Sequence, residues 1–259
     1  VSALLAAAGT AARHALSQRF DALGRAGFYV VLLLVFSGLW RAVVASVASP
    51  AADPVTLLWY LALTEWIVLS LPPVQQDVDD DVRTGDVAYR LTRPLSYVAA
   101  KAAEGVGVLL ARMALLAPVG FGLALALSGA LPPDPVRLLA AVPLAVLAGV
   151  VGVLFLVAVG TTAFWIQDSA PVFWIWQKLS FVLGGLVLPL SLYPEWLETA
   201  ARWTPFHPLV GAPGASVLGL DPANPAEVAA RIVAWGVVAG FLLAFLFRRG
   251  LRLLDVNGG

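Results

Sequence analysis

The sequence predicts an all-α, polytopic membrane protein with six transmembrane helices in one domain, 1–259, and three observations carry the prediction. Hydrophobic residues fill 60% of the 259 positions and charged residues 12%, with a mean hydropathy of +0.88, whereas about a quarter of the residues in a soluble domain are charged. The apolar residues gather into six runs of the length that crosses a hydrocarbon core of about 30 Å. Between the second and third runs lies the longest polar interruption, Gln75 to Ser96, reading QQDVDDDVRTGDVAYRLTRPLS. That stretch has to sit in water or against another protein.

Taken in order, the stretch 1–27 is amphipathic, with Leu16, Phe20 and Leu23 on one helical face and Arg13, Ser17, Asp21 and Arg25 towards the other. This predicts a helix lying in the membrane interface. Its basic residues follow the alanine-rich start, the wrong order for a cleaved signal peptide. Phe28 to Val47 is the first span, and a turn at Pro50 to Pro54 returns the chain through Val55 to Leu71. Pro72 and Pro73 then deliver it to the polar stretch, on the same side as the N-terminus.

Within that stretch, Asp77 to Thr84 suits a short helix with Val78 and Val82 on one face, and Gly85 suits the left-handed residue that ends it. Asp86 is placed to cap a second turn, Val87 to Leu91, and Pro94 to open the next long helix. The segment 75–94 is thus predicted to be a helical elbow. A solvated loop remains the plainer alternative, but Val78, Val82, Val87, Tyr89 and Leu91 interleaved with charges favour a docking element.

Leu95 to Leu127 is the third span, carrying Lys101, Glu104 and Arg112, and an outer turn at Leu131 to Pro135 leads into the fourth, Val136 to Trp165. After a short inner turn, Gln167 to Pro171, the fifth span is Val172 to Leu192, with Gly184, Gly185 and Pro189 inside it. The stretch 193–225 is too apolar for a free loop and too broken for a span, so it is expected to fold back into the outer leaflet, with a short amphipathic helix around Glu195, Trp196, Glu198, Arg202 and Trp203. Glu227 to Phe247 is the sixth span, and Gly236 and Gly240 in it have the spacing of a close-packing face, within the chain or towards another.

Six spans put both termini on one side. Eleven of the sixteen basic residues fall there, namely Arg13, Arg19, Arg25, Arg83, Arg90, Arg93, Lys101, Lys178, Arg248, Arg249 and Arg252, which marks it as the cytoplasm. Trp40, Trp59, Trp196 and Trp203 are assigned to the outer interface, and Trp165, Trp174 and Trp176 to the inner one.

Composition also excludes function classes. Sixteen basic residues balance sixteen acidic ones, and the only basic run is the doublet Arg248 and Arg249, so nucleic acid is not an expected partner. No cysteine is present and the two histidines, His14 and His207, lie far apart, which leaves no thiol chemistry and no zinc motif. Asp77, Asp79 and Asp81 alternate as in an EF-hand loop, but Val82 stands where that loop needs glycine and Ala88 where it needs the bidentate glutamate. There is no phosphate-binding loop and no Ser/His/Asp grouping, so no catalytic residue and no metal ligand is assigned. His207, in the run Pro205 to Pro208, reads as a turn anchor.

Two charges fall inside predicted spans. An arginine there costs about 2.5–3.5 kcal/mol without a partner, so Arg112 is expected to pair with Glu65 at similar depth on the neighbouring helix. That pair either fixes two helices or lines a substrate path.

Three blocks of residues resemble the permease subunits of type-2 ATP-binding-cassette (ABC) transporters, in particular a bacterial six-helix branch. The first is VRTGDVAYRLTRPLS, Val82 to Ser96. The second comprises Phe164 and Trp165, Gly184 and Gly185, Pro189, Tyr193 to Leu197, and Thr204 to Phe206. The third is the tail Arg248, Arg249, Gly250 and Arg252 ending in Gly258 and Gly259.

The resemblance implies that Gln75 to Leu91 holds a coupling helix seated in a groove of an ABC ATPase subunit, present in two copies. Val82, Arg83, Gly85, Asp86, Tyr89, Arg90, Arg93 and Pro94 carry over to that role. It further implies a second six-helix permease, a paralogue or a copy of this chain, and export across a bacterial cytoplasmic membrane. Membrane lipids surround the chain, no cofactor binds to it, and ATP and Mg are bound by the partner ATPase. The competing expectation is a nucleotide-independent carrier or a scaffold of a membrane complex.

Overall fold

The computed structural model describes residues 2–46, 53–92, 95–132 and 134–257, and among them every regular element is helical. The chain runs α1 (Ser2–Ser17), α2 (Arg19–Ser46), α3 (Pro54–Ser70), α4 (Val74–Thr84), α5 (Asp86–Leu91), α6 (Tyr97–Ser128), α7 (Pro135–Gly160), α8 (Ala163–Ile166) and α9 (Ala170–Leu183). It continues through a 3-10 turn at Leu190–Leu192 to α10 (Glu195–Arg202), α11 (Phe206–Leu209), α12 (Ala212–Val217) and α13 (Pro225–Asn257).

Helix α3 is the axis of the molecule. Thr56 to Ile67 are all buried along it, enclosed by α2, α6, α7 and α12. Burial on every side explains why its apolar residues show no one-sided pattern. Asp53 opens the helix by accepting from the Val55 and Thr56 amides at 2.8 and 3.0 Å, with Pro54 in the first turn. Side-chain donors then tie α3 to its neighbours through carbonyls: Tyr29 donates to Ala62, Trp66 to Met113 at 2.8 Å, and Thr64 to Leu186 at 2.7 Å. Such bonds replace water for donors inside an apolar bundle.

Among the described residues, five helical stretches are long and apolar enough to cross a membrane: Arg19–Ala42, Pro54–Thr84, Tyr97–Ser128, Pro135–Ile166 and Pro225–Leu253. The fifth span expected over 172–192 is not one of them. Helix α9 has only 14 residues, about 21 Å at about 1.5 Å per residue, because Gly185 turns to a φ of 68° and Pro189 cannot continue a helix.

The N-terminal helix also differs from expectation. A single element over 1–27 breaks at Gln18 into α1 and α2, and the first span starts at Arg19 instead of Phe28. Asp21 and Arg25, one turn apart and 3.0 Å from each other, make the extra turns tolerable.

The face that α1 buries is not the one with the large apolar residues. Leu4, Ala7, Ala8, Ala11, Ala12 and Ala15 are partly buried along its contact with α6, while Leu5 and Leu16, like Phe20 and Leu23 at the start of α2, are exposed. The approach is close: a Cβ at Gly107 would lie 2.1 Å from the Ala8 carbonyl oxygen.

Two tryptophans assigned to the outer interface are core residues. Trp59 donates to the Ala130 carbonyl at 3.1 Å, and Trp40 is also buried. Between α9 and α13, the expected amphipathic helix forms as α10, with Trp196 and Trp203 exposed. Residues 206–217 are buried throughout, folded against α7, α3 and α13. Asn224 caps α13 reciprocally with Glu227; a Cβ at Gly236 would lie 3.0 Å from the Val151 side chain, while one at Gly240 would meet nothing within 4 Å.

Candidate functional site

The polar stretch folds as two helices at an elbow. Leu71 is held extended ahead of Pro72, as the residue before a proline must be, and α4 begins three residues later. Gly85 sits at φ 79°, ends α4 by donating to the Val82 carbonyl, and starts α5. The left-handed bend is where the sequence put it. Asp86, however, is the first residue of α5 and makes no capping bond, because Gly85 holds the cap position. Arg93 and Pro94 lie outside the described residues.

The elbow is fixed to the bundle by its inward face. Val78 is fully buried, and α4 presses so closely on the end of α7 that a Cβ at Gly160 would come within 2.7 Å of the Val78 Cβ. Asp81 accepts from the Lys101 ammonium at 2.8 Å and the Tyr97 hydroxyl at 2.8 Å, both on α6, with Arg90 at 3.5 Å. Asp79 accepts from the Ser169 amide at 2.6 Å, ahead of α9. Two of the four aspartates are therefore internal clamps and not surface charge, and Val87 is buried too.

What remains outward is Arg83, Thr84, Gly85, Asp86, Tyr89 and Leu91, with Val82 half-buried and Arg90 turned partly towards Asp81. A groove of about 280 Å³ beside this surface is lined by Gln76, Asp80, Arg83, Asp168 and Trp174, among others.

The two intramembrane charges do not meet. Arg112 pairs with Asp21 at 3.1 Å and donates to the Leu71 carbonyl at 3.0 Å, so Asp21 on α2 takes the place expected for Glu65. Asp21 had been assigned to the polar face of an interfacial helix; the early start of α2 carries it to Arg112. Glu65 is buried and makes no hydrogen bond or ion pair among the described residues. It lines a cavity of about 560 Å³ bounded by α2, α3, α7, α9 and α11.

A family model described as ABC-2 family transporter protein matches residues 54–258, from the start of α3 to beyond α13. The chain belongs to this family. It is a permease subunit of the ABC-2 type, an integral membrane component of an ABC transporter. The match includes the elbow and Glu65 and leaves α1 and α2 before it. No curated protein matches the chain.

ABC-2 permeases associate in general with an ATPase subunit, and the sequence carries no phosphate-binding loop of its own. The residues that the sequence did not reveal as partners, Asp21, Lys101 and Tyr97, left a trace only in hindsight. Tyr97 and Lys101 are one turn apart at the start of α6, with an aspartate run sixteen to twenty residues earlier.

Proposed function

We propose that this ABC-2 permease is a subunit of an exporter in a bacterial cytoplasmic membrane, driven by ATP and Mg bound to two copies of a separate ATPase. A second six-helix permease, paralogue or self, completes the pathway. Both termini are cytoplasmic, and α9 with the irregular segment 184–192 makes the fifth of six crossings. The elbow α4 to α5 is the coupling element, presenting Val82, Arg83, Gly85, Asp86, Tyr89 and Arg90 to the ATPase, with Arg93 and Pro94 at the return to α6.

The observation that carries this reading is the asymmetry of the elbow. Its inward face is clamped to α6, α7 and the start of α9 through Asp81, Val78 and Asp79, while its outer face keeps charged and aromatic residues exposed. A push on that face is delivered to three elements that frame the cavity or lie beside it. Two-state motion of such packed elements is how a partner's closure reaches a distant site.

The test is a mild-detergent purification of the tagged chain from its native membranes, followed by mass spectrometry and by flux in vesicles. Co-purification of an ATPase with a glycine-rich phosphate loop and of a six-helix permease, with flux that requires ATP, is the expected outcome. A chain that comes down alone and transports without nucleotide would sink the reading.

A further inference from the structure

We propose that the cavity around Glu65 is a binding site for an amphipathic organic cation, with the carboxylate as the counter-charge and the aromatic walls as the seat of the apolar body. The proposal names a substrate class for the pathway and rests on the permease reading in treating the cavity as part of that path; binding itself is measurable without it.

Size comes first. A volume of about 560 Å³ lies within the roughly 300–1,000 Å³ of pockets that hold drug-sized molecules. The walls are apolar and aromatic: Phe28 and Phe36 from α2, Phe173, Trp176 and Phe181 from α9, and Phe206 from α11. Aromatic faces attract cations as well as apolar groups, most strongly where water is excluded.

Charge comes second. The charged residues lining the cavity are Glu65 and Arg25. Arg25 is engaged, with Asp21 at 3.0 Å and the Leu69 carbonyl at 3.3 Å. Glu65 is 4% exposed and has no partner among the described residues. A buried carboxylate left alone is costly, and intramembrane acids mark ion or substrate sites for that reason. An incoming ammonium or phosphonium supplies the missing partner; an incoming anion does not.

A competing role for Glu65 is purely electrostatic. Arg25 and Arg112 share Asp21, and Glu65 could offset their excess positive charge at a distance. That role needs no ligand, so the two differ in what they predict for binding.

The experiment uses the full chain, with whatever subunits accompany it, in nanodiscs of zwitterionic lipid, and radiolabelled tetraphenylphosphonium as the probe. Nucleotide is absent, and uptake by empty discs is subtracted. The expected result is saturable binding that weakens about tenfold or more in Glu65→Gln, the scale of one lost charge-assisted contact, and only about threefold or less in Glu65→Asp.

Triphenylphosphine oxide, with a similar apolar body and no net charge, should compete at least about tenfold more weakly than unlabelled probe, which tests the charge requirement in the unsubstituted protein should Glu65→Gln not fold. Equal affinity of folded Glu65→Gln, equal competition by the neutral compound, or no saturable binding above empty discs each overturns the proposal. A chain that binds the cation yet recruits no ATPase keeps this site and sinks the exporter reading. A chain that recruits its ATPase and ignores the cation does the reverse.

Discussion

The elbow and the segment 190–223 are both held by buried aspartates, but Asp81 of the first and Asp221 of the second face in different directions along the chain. Asp81 reaches out of the elbow to Lys101 and Tyr97 on α6. Asp221 stays at home: it accepts from Arg202 of α10 at 3.0 Å and from the Ala223 amide at 2.8 Å, with His207 of α11 at 3.6 Å. The elbow is clamped to a neighbour and leaves an outer face exposed to solvent. The segment 190–223 is tied internally by Asp221, and its residues 206–217 are buried against α3, α7 and α13. The first arrangement suits transmission and the second local anchoring.

Breaking the clamps should separate the two. Asp81→Ala strands Lys101, whose side chain is 5% exposed, and losing one partner of a buried pair costs about 3–5 kcal/mol. A large fall in the thermal midpoint, read by fluorescence-detected size exclusion, is expected, with much of it regained in Asp81→Leu combined with Lys101→Leu. A midpoint unchanged in Asp81→Ala would show the clamp to be idle.

Asp221→Ala should cost less, about 1–3 kcal/mol, because Arg202 is 23% exposed and keeps Glu198 at 2.8 Å. Hydrogen exchange should rise within 190–223 and leave the elbow protected; a rise at the elbow would mean that the two clamps do not act independently.

Gly85→Val is smaller still in stability, about 1–2 kcal/mol for a side chain forced to the left-handed φ of 79°. Its effect falls on coupling. ATP hydrolysis by the complex should persist while flux is lost, and normal flux would count against the elbow as the transmitting element.

These contrasts show which features the sequence made legible. The left-handed bend at Gly85 could be read because a glycine between two short helical patterns has a local cause. The partners of Asp21 and Asp81, and the lack of one for Glu65 among the described residues, could not, because a charge chooses its neighbour by three-dimensional proximity. Glu65 and Arg112 fall at a similar expected depth, yet the start of α2 about two and a half turns before Phe28 gave Arg112 a different carboxylate. The alanine stripe of α1 was hidden for another reason: large residues dominate a hydrophobic pattern, while close packing on Gly107 selects small ones. The failure of 172–192 to form one long helix was signalled by Gly184, Gly185 and Pro189, and the apolar run outweighed them in the reading of that span.

The mildest perturbation that separates the two regions is acid. His207 lies on α11, outside the five long helices, and burial pushes it down to about 4 against the pull of Asp221, with Arg202 and Arg231 adding to the lowering. Its folded value is thus below the unfolded one of about 6.5. The contribution to stability is complete above the unfolded value and is lost as pH falls from there towards 4, since the unfolded segment takes up the proton first.

Trypsin cleavage at Arg202 should therefore quicken between about pH 6.5 and 5 while cleavage within the elbow changes less over the same window. His207→Gln, which cannot take up a proton there, should flatten the dependence at Arg202. An unchanged pH profile in that variant would assign the acid sensitivity to another group and remove His207 from what distinguishes the segment 190–223 from the elbow.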